Sequence, residues 1–254
     1  MPDRSLAWRV EQACFNAWPA LREVLVEDWI ARLAPGVSRR ANSANPLSAA
    51  ACADDELISK CEAVYAGWAA PAIFRVPTLV DQAIDRRLEQ RGYAREAETS
   101  TLYGDFDGVS HERHADVKLA QRPSSAWLAA KAQMNGFDTN QARTYRQVIA
   151  RLALPGAFAA IRHEGAFASL AFGAIHDGLF CLESVVTAQS LRGRGFSRRT
   201  LSALLGWAEA RGARGACLQV QSDNAPAVAL YRSLGLTTEL YRYHYRRTPS
   251  RADV

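Results

Sequence analysis

Residues 185–195, V-V-T-A-Q-S-L-R-G-R-G, break a β-rich run with alternating Arg and Gly, and a long helical pattern opens directly afterwards. A chain with this order must set a helix N-terminus at the end of a strand, with glycines at the junction. The unpaired N–H groups of a first helical turn and the positive end of the helix dipole both favour an anion there. Gly193 and Gly195 allow the backbone to approach a ligand with no Cβ in the way. Arg192, Arg194, Arg198 and Arg199 bring positive charge to the same rim.

Elsewhere the chain alternates helical and strand patterns. Leu6, Val10, Ala13, Cys14 and Ala17 recur at helical spacing and predict a helix over 6–18, stopped by Pro19. Residues 21–33 and the stretch ending R-R-A-N-S-A-N-P read as two strands joined at Pro35-Gly36. A helix over 54–67, a strand over 72–76, a helix over 79–91 and a strand over 99–106 follow. The polar, turn-rich D-F-D-G-V-S-H-E-R passage predicts a boundary near residue 110, dividing a unit 1–110 from a unit 111–254. Beyond it the expected order is a strand from Val117, helices over 124–135 and 139–153, and strands over 157–162, 166–176 and 179–187. After the Arg/Gly loop come a helix over 197–211, a strand over 216–220, a helix over 227–234 and a final strand over 236–247. The fold class is therefore α/β, an α+β mixture around a mixed sheet. Strand 72–76, helix 79–91, Gly92-Tyr93 and strand 99–106 weakly repeat the strand, helix, Gly235-Leu236 and strand at the C-terminus. That predicts an internal duplication whose first copy lacks an R-x-x-G loop.

A hydrophobic share of 48% with 22% charged residues is globular in type and sufficient for one or two domains. No apolar run reaches the roughly 18 residues that span a bilayer. The opening M-P-D-R-S-L-A-W-R-V has no apolar signal core, so a cytoplasmic protein is expected. Five scattered cysteines without C-x-x-C are expected to be small buried hydrophobes in a reducing compartment. His111 and His114 flank Glu-Arg rather than a zinc spacing, and no metal site is expected. The net charge of +5 is mild, the arginines outside the loop are dispersed, and R-R-T-P-S-R near the C-terminus reads as a frayed tail. Neither a membrane nor a nucleic-acid partner is expected.

Two motifs give the pattern a family. Arg192-Gly-Arg-Gly195-Phe-Ser197 resembles the Q/R-x-x-G-x-G/A loop of the GNAT superfamily of N-acetyltransferases, with Ser in the sixth position. Asn224, Ala227, Leu230, Tyr231 and Gly235 match its N-x-x-A-x-x-L-Y-x-x-x-G-F motif, with Leu236 replacing Phe. The resemblance covers roughly residues 125–247. With the degenerate repeat before it, the chain looks like a tandem pair of GNAT-like domains.

The resemblance implies acetyl-CoA as co-substrate and assigns roles. Backbone N–H groups of Arg192, Gly193, Arg194, Gly195, Phe196 and Ser197 would hold the coenzyme A pyrophosphate. The strand through Val185, Val186 and Thr187 would lie along the pantetheine arm, with Val185 or Val186 N–H meeting the oxyanion. Asn224 would bind the same arm or simply cap its helix. Tyr231 would protonate the departing thiolate. Glu183 is the candidate base, and His176 a second. Trp29 and the Arg39–Asn45 run are candidates for a substrate cleft between the halves, with Trp18, Trp68 and Trp127 expected in the core. The implied reaction is direct attack by a primary amine, from a small molecule or peptide, in a ternary complex by a monomer or homodimer. The alternatives are a coenzyme A-binding module without chemistry and a basic nucleic-acid-associated protein.

Overall fold

The computed structural model describes residues 5–109, 111–112 and 114–248. Its first part holds α1 (Leu6–Ala17), β1 (Arg22–Val26), β2 (Trp29–Leu33), β3 (Ala44–Pro46), α2 (Asp55–Ala66), β4 (Ile73–Pro77), α3 (Ala83–Gln90) and β5 (Ala94–Asp105). The second part holds β6 (Val117–Ala120), α4 (Ser125–Met134), α5 (Thr139–Ala150), β7 (Gly156–His163), β8 (Ala166–His176) and β9 (Leu179–Thr187). It closes with α6 (Phe196–Glu209), β10 (Gly215–Gln221), α7 (Ala225–Ser233) and β11 (Thr238–Arg247).

Most boundaries follow local chemistry that the sequence displays. Asp54 caps α2 by accepting from Leu57 N at 2.9 Å, and Asp138 and Gln141 form a capping box at the start of α5. Three readings change. Residues 21–33 are a complete hairpin, β1–β2, turning at Glu27 with φ +52°, rather than one strand of a longer pair. Helix α3 starts only at Ala83, because Gln82 Nε2 folds back onto the carbonyls of Pro77 and Val80 while Asp81 Oδ1 accepts from Ala83 N. Arg246 and Arg247 belong to β11, and Arg246 is buried against Asp85. The expected frayed tail thus reduces to residues after 248, which lie outside the described ones.

All eleven strands join one sheet in the order β1-β2-β3-β4-β11-β5-β10-β9-β8-β7-β6. In its centre lie the two stretches that the sequence reads as a weak repeat. Strands β4 and β5 flank α3, and β10 and β11 flank α7, yet β11 lies between β4 and β5 while β5 lies between β11 and β10. Each strand–helix–strand unit has handed its last strand to the other. The boundary expected at residue 110 is consequently crossed by the sheet, which runs through it without a break.

Packing crosses it as well. On one face, Leu201, Leu204, Leu205 and Ala208 of α6 bury against Ala157, Ala171 and Leu182, in the same cluster as Leu102, Phe106 and Val109 from the first part. On the other face, Val10, Ala13, Cys14 and Ala17 of α1 pack on Cys181, Cys217, Tyr241 and Tyr243. The first helix of the chain thereby covers strands from its second half. No helix among the described residues is long and apolar enough to cross a membrane.

Candidate active site

Strand β9 pairs in parallel with β10 only through Leu179, Phe180 and Cys181, opposite Gly215, Ala216 and Cys217. Three residues beyond Cys181, Ser184 takes a left-handed conformation, φ +58°, and the register against β8 slips between Leu170 and Phe172. This bulge turns β9 away from β10. The strands fork, and the β10-side edge of β9 from Leu182 onward has no strand partner.

The bulge is held from behind. Lys131 of α4 donates from Nζ to the Ser184 carbonyl at 2.8 Å, and the Tyr145 hydroxyl of α5 meets Ser184 Oγ at 2.9 Å. Lys131 is only 2% exposed. Its burial lowers the ammonium pKa to about 7, against the opposing pull of the Glu183 charge. A non-glycine residue in the left-handed region costs about 1–2 kcal/mol, and these contacts fix it there.

A cleft of about 580 Å³ opens at the fork. Val185, Val186 and Thr187 form one wall. Arg192, Gly193, Gly195, Phe196 and Ser197 form its end, and Asn224, Ala227 and Tyr231 its other wall. Gly193 and Gly195 both have φ +76°, and a Cβ on either would meet no atom within 4 Å, so the space above them is open. Gly195 is the N-cap of α6 and supplies no side-chain acceptor, which leaves the first-turn amides free for a ligand. The Thr187 and Ser197 hydroxyls bond each other and tie the loop to its strand.

The four arginines divide. Arg192 and Arg198 line the cleft, whereas Arg194 and Arg199 do not. Arg194 reaches His163 Nε2 at 3.3 Å, Arg199 pairs with Asp116, and Arg198 also bonds Ser233 Oγ at 2.6 Å. Asn224 Oδ1 accepts from Ala227 N at 3.3 Å, so it caps α7 while lining the cleft. Tyr231 is 8% exposed, and among the described residues no protein group bonds its hydroxyl. Burial, helped by the charge of Glu183, pushes its pKa up to about 12.

Glu183 faces away from this cleft. It is 2% exposed and both carboxylate oxygens take Arg40, Nη1 to Oε1 and Nη2 to Oε2, each at 2.6 Å. Arg40 also donates to Gln219 Oε1 at 3.3 Å. Gln219 links in turn to Tyr241, Tyr243 and Glu11, whose carboxylate pairs with Arg75. Burial works to raise the Glu11 pKa, but the Arg75 charge and the bonds from Arg75 and Tyr241 hold it below the usual value. His176 pairs with Leu179 at the opposite end of the β8–β9 hairpin from the cleft. Trp29 is a fully buried core residue bonding Cys52 O, and Trp18 and Trp127 are also core. Trp68 is exposed instead.

Sequence reasoning missed Lys131, Tyr145, Glu11 and Arg75, and it saw Arg40 only as part of a run. Nothing in their local spacing marks them. Arg40 and Glu183 stand 143 positions apart.

The sequence and the fold both match known proteins. The family model "Probable histone acetyltransferase Rv0428c C-terminal" matches residues 7–246. The chain belongs to that family. This acetyltransferase is 25% identical over 242 residues to a protein named "Uncharacterized N-acetyltransferase YobR" from Bacillus subtilis (strain 168), covering 94% of this chain and 97% of the relative. In fold it is similar to a GCN5-related N-acetyltransferase from Kribbella flavida, with TM-score 0.70 and 19% identity, covering 98% of this chain and 96% of the other. It also resembles a tandem GNAT protein from the clavulanic acid biosynthesis pathway, with TM-score 0.61 and 14% identity over 77% of this chain and 70% of that one. The acetyltransferase is thus a GNAT-superfamily N-acetyltransferase, as its two motifs implied.

Proposed function

We propose that the acetyltransferase uses acetyl-CoA as donor and passes its acetyl group to a primary amine, of a small molecule or peptide, by direct attack in a ternary complex. The observation that carries this reading is the open cradle over Gly193 and Gly195, at a helix start with no side-chain cap, continuous with the free edge of β9. A pyrophosphate fits such a cradle because amide donors and the helix dipole converge on it. Arg192 and Arg198, both lining the cleft, add the charge. The edge of β9 at Val185 and Val186, unpaired with β10 and lining the cleft, suits the extended pantetheine arm.

The donor supplies an activated thioester, and the residues of this chain supply position and protons. Tyr231 keeps its proton at any working pH, since its pKa lies near 12, and its hydroxyl is free to donate to a departing thiolate. In this reading a backbone N–H of Val185 or Val186 meets the oxyanion as a fixed dipole. Glu183, with both oxygens engaged by Arg40, acts by holding that guanidinium and the fork. Loss of the amine's proton then falls to water in the cleft.

Acetyl-CoA should raise the melting temperature in a concentration-dependent way, and free coenzyme A should appear over a panel of amines, amino acids and peptide N-termini. No stabilisation by acetyl-CoA at any concentration would overturn the reading.

A further inference from the structure

Directly beneath the fork, three buried thiols from three elements meet: Cys14 of α1, Cys181 of β9 and Cys217 of β10. Cys14 Sγ lies 3.4 Å from Cys181 Sγ and 4.0 Å from Cys217 Sγ, and all three sulfurs fall within 4.8 Å of one another. We propose that these three cysteines form a binding site for one soft divalent cation of the zinc and cadmium class.

The spacing is that of touching thiols and is also close to what one shared ion requires. Thiolates sit about 2.3 Å from zinc, so two sulfurs on one ion lie about 3.8–4.0 Å apart in tetrahedral or trigonal geometry. The observed 3.4 and 4.0 Å lie close to that distance. A void of about 10 Å³ adjoins Cys14, walled by Glu11, Phe15, Arg32, Arg40, Arg75 and Gln219. It has room for the single water that would complete four ligands.

Charges of both signs surround the thiols: Cys181 Sγ donates to Glu183 Oε1 at 3.6 Å, a bond that ion binding would break. Three thiolates around a divalent ion carry one net negative charge. Three guanidiniums wall the void against the carboxylates of Glu11 and Glu183, since the remaining partner of Arg32, Glu23, is 42% exposed. Arg75 Nε, buried, has no hydrogen-bond partner among the described residues. Soft thiolates select this class of ion over hard cations. On binding, each thiol releases its proton to the buffer, three S–M bonds form, and no oxidation state changes.

The test uses the whole protein, stripped with a chelator under reducing conditions and titrated with cadmium chloride. Sulfur-to-cadmium charge-transfer absorption should rise and saturate at one equivalent, and the cadmium NMR shift should report three sulfur ligands. Excess zinc should displace the signal. Cys14→Ser and Cys217→Ser should each lose the saturating band, while Cys52→Ser, at the exposed thiol, should keep it. The absence of a thiolate band in the wild-type protein overturns the proposal. So does a band lost on Cys52→Ser, or a shift reporting fewer than three sulfurs. The NMR shift is read on the unaltered chain, so a variant that fails to fold does not remove the test. None of these readouts depends on acetyl transfer.

Discussion

Tyr231 and Lys131 are both buried, and burial drives their pKa values apart, because desolvation always disfavours the charged form. For Tyr231 the result is a phenol that stays protonated. Tyr231→Phe should lower kcat by about 10²–10⁴-fold with little change in acetyl-CoA affinity. Steady-state kinetics paired with calorimetry will separate the two, and an unchanged kcat removes the residue from the mechanism. For Lys131 the folded pKa of about 7 lies below its ordinary 10.5. Between those values the unfolded chain binds one more proton than the folded one, so this group makes stability rise with pH by about 1.4 kcal/mol per unit. The contribution levels off below about pH 7, where both states are protonated. Urea unfolding of Lys131→Met across that window should show the slope reduced by this amount.

At the scale of elements, the bulge in β9 is what converts a parallel strand pair into a fork. It is braced on one side by α4 and α5 through Lys131 and Tyr145. On the other side stands the short helical turn Arg39–Ala41, which delivers Arg40 to Glu183. Arg40 is 21% exposed while Glu183 is 2% exposed, so deleting the guanidinium leaves a buried carboxylate uncompensated. Arg40→Gln should destabilise by about 3–5 kcal/mol, and the double variant Arg40→Gln, Glu183→Gln should recover most of that loss. Equal destabilisation of the single and double variants in urea would mean that the pair's charge is irrelevant. The loop and α6 were readable in the sequence because every signal they need is local: a strand period, two glycines, an apolar stripe. Lys131 reads there as one polar residue in a helix, since its burial is set by a strand 53 residues away.

At the scale of the molecule, the exchange of β5 and β11 ties the two halves into one sheet. β4 and β5 each border β11, and β5 borders β10. A fragment ending at 110 lacks the strand between its own two, and a fragment starting at 111 leaves β10 and β11 without β5. Fragments 1–110 and 111–254 expressed separately should each lack a dispersed amide NMR spectrum. A dispersed spectrum from either would show that the halves are autonomous. The two strand–helix–Gly–strand patterns are visible in the chain, but the interleaving of their strands is not. Nothing in a strand's period says which neighbour it will pair with.

Element types, the Arg/Gly loop and the family follow from short-range order, where glycine conformation, capping and hydrophobic period act over a few residues. The amino-acid sequence is sufficient for those. Partners separated by tens to hundreds of positions are another matter: Arg40 on Glu183, Glu11 on Arg75, and the meeting of Cys14, Cys181 and Cys217. These depend on α1 crossing to the second half and on β11 entering the first. Both are outcomes of burying apolar faces on a shared sheet, a non-directional force that fixes position only once the whole chain has packed.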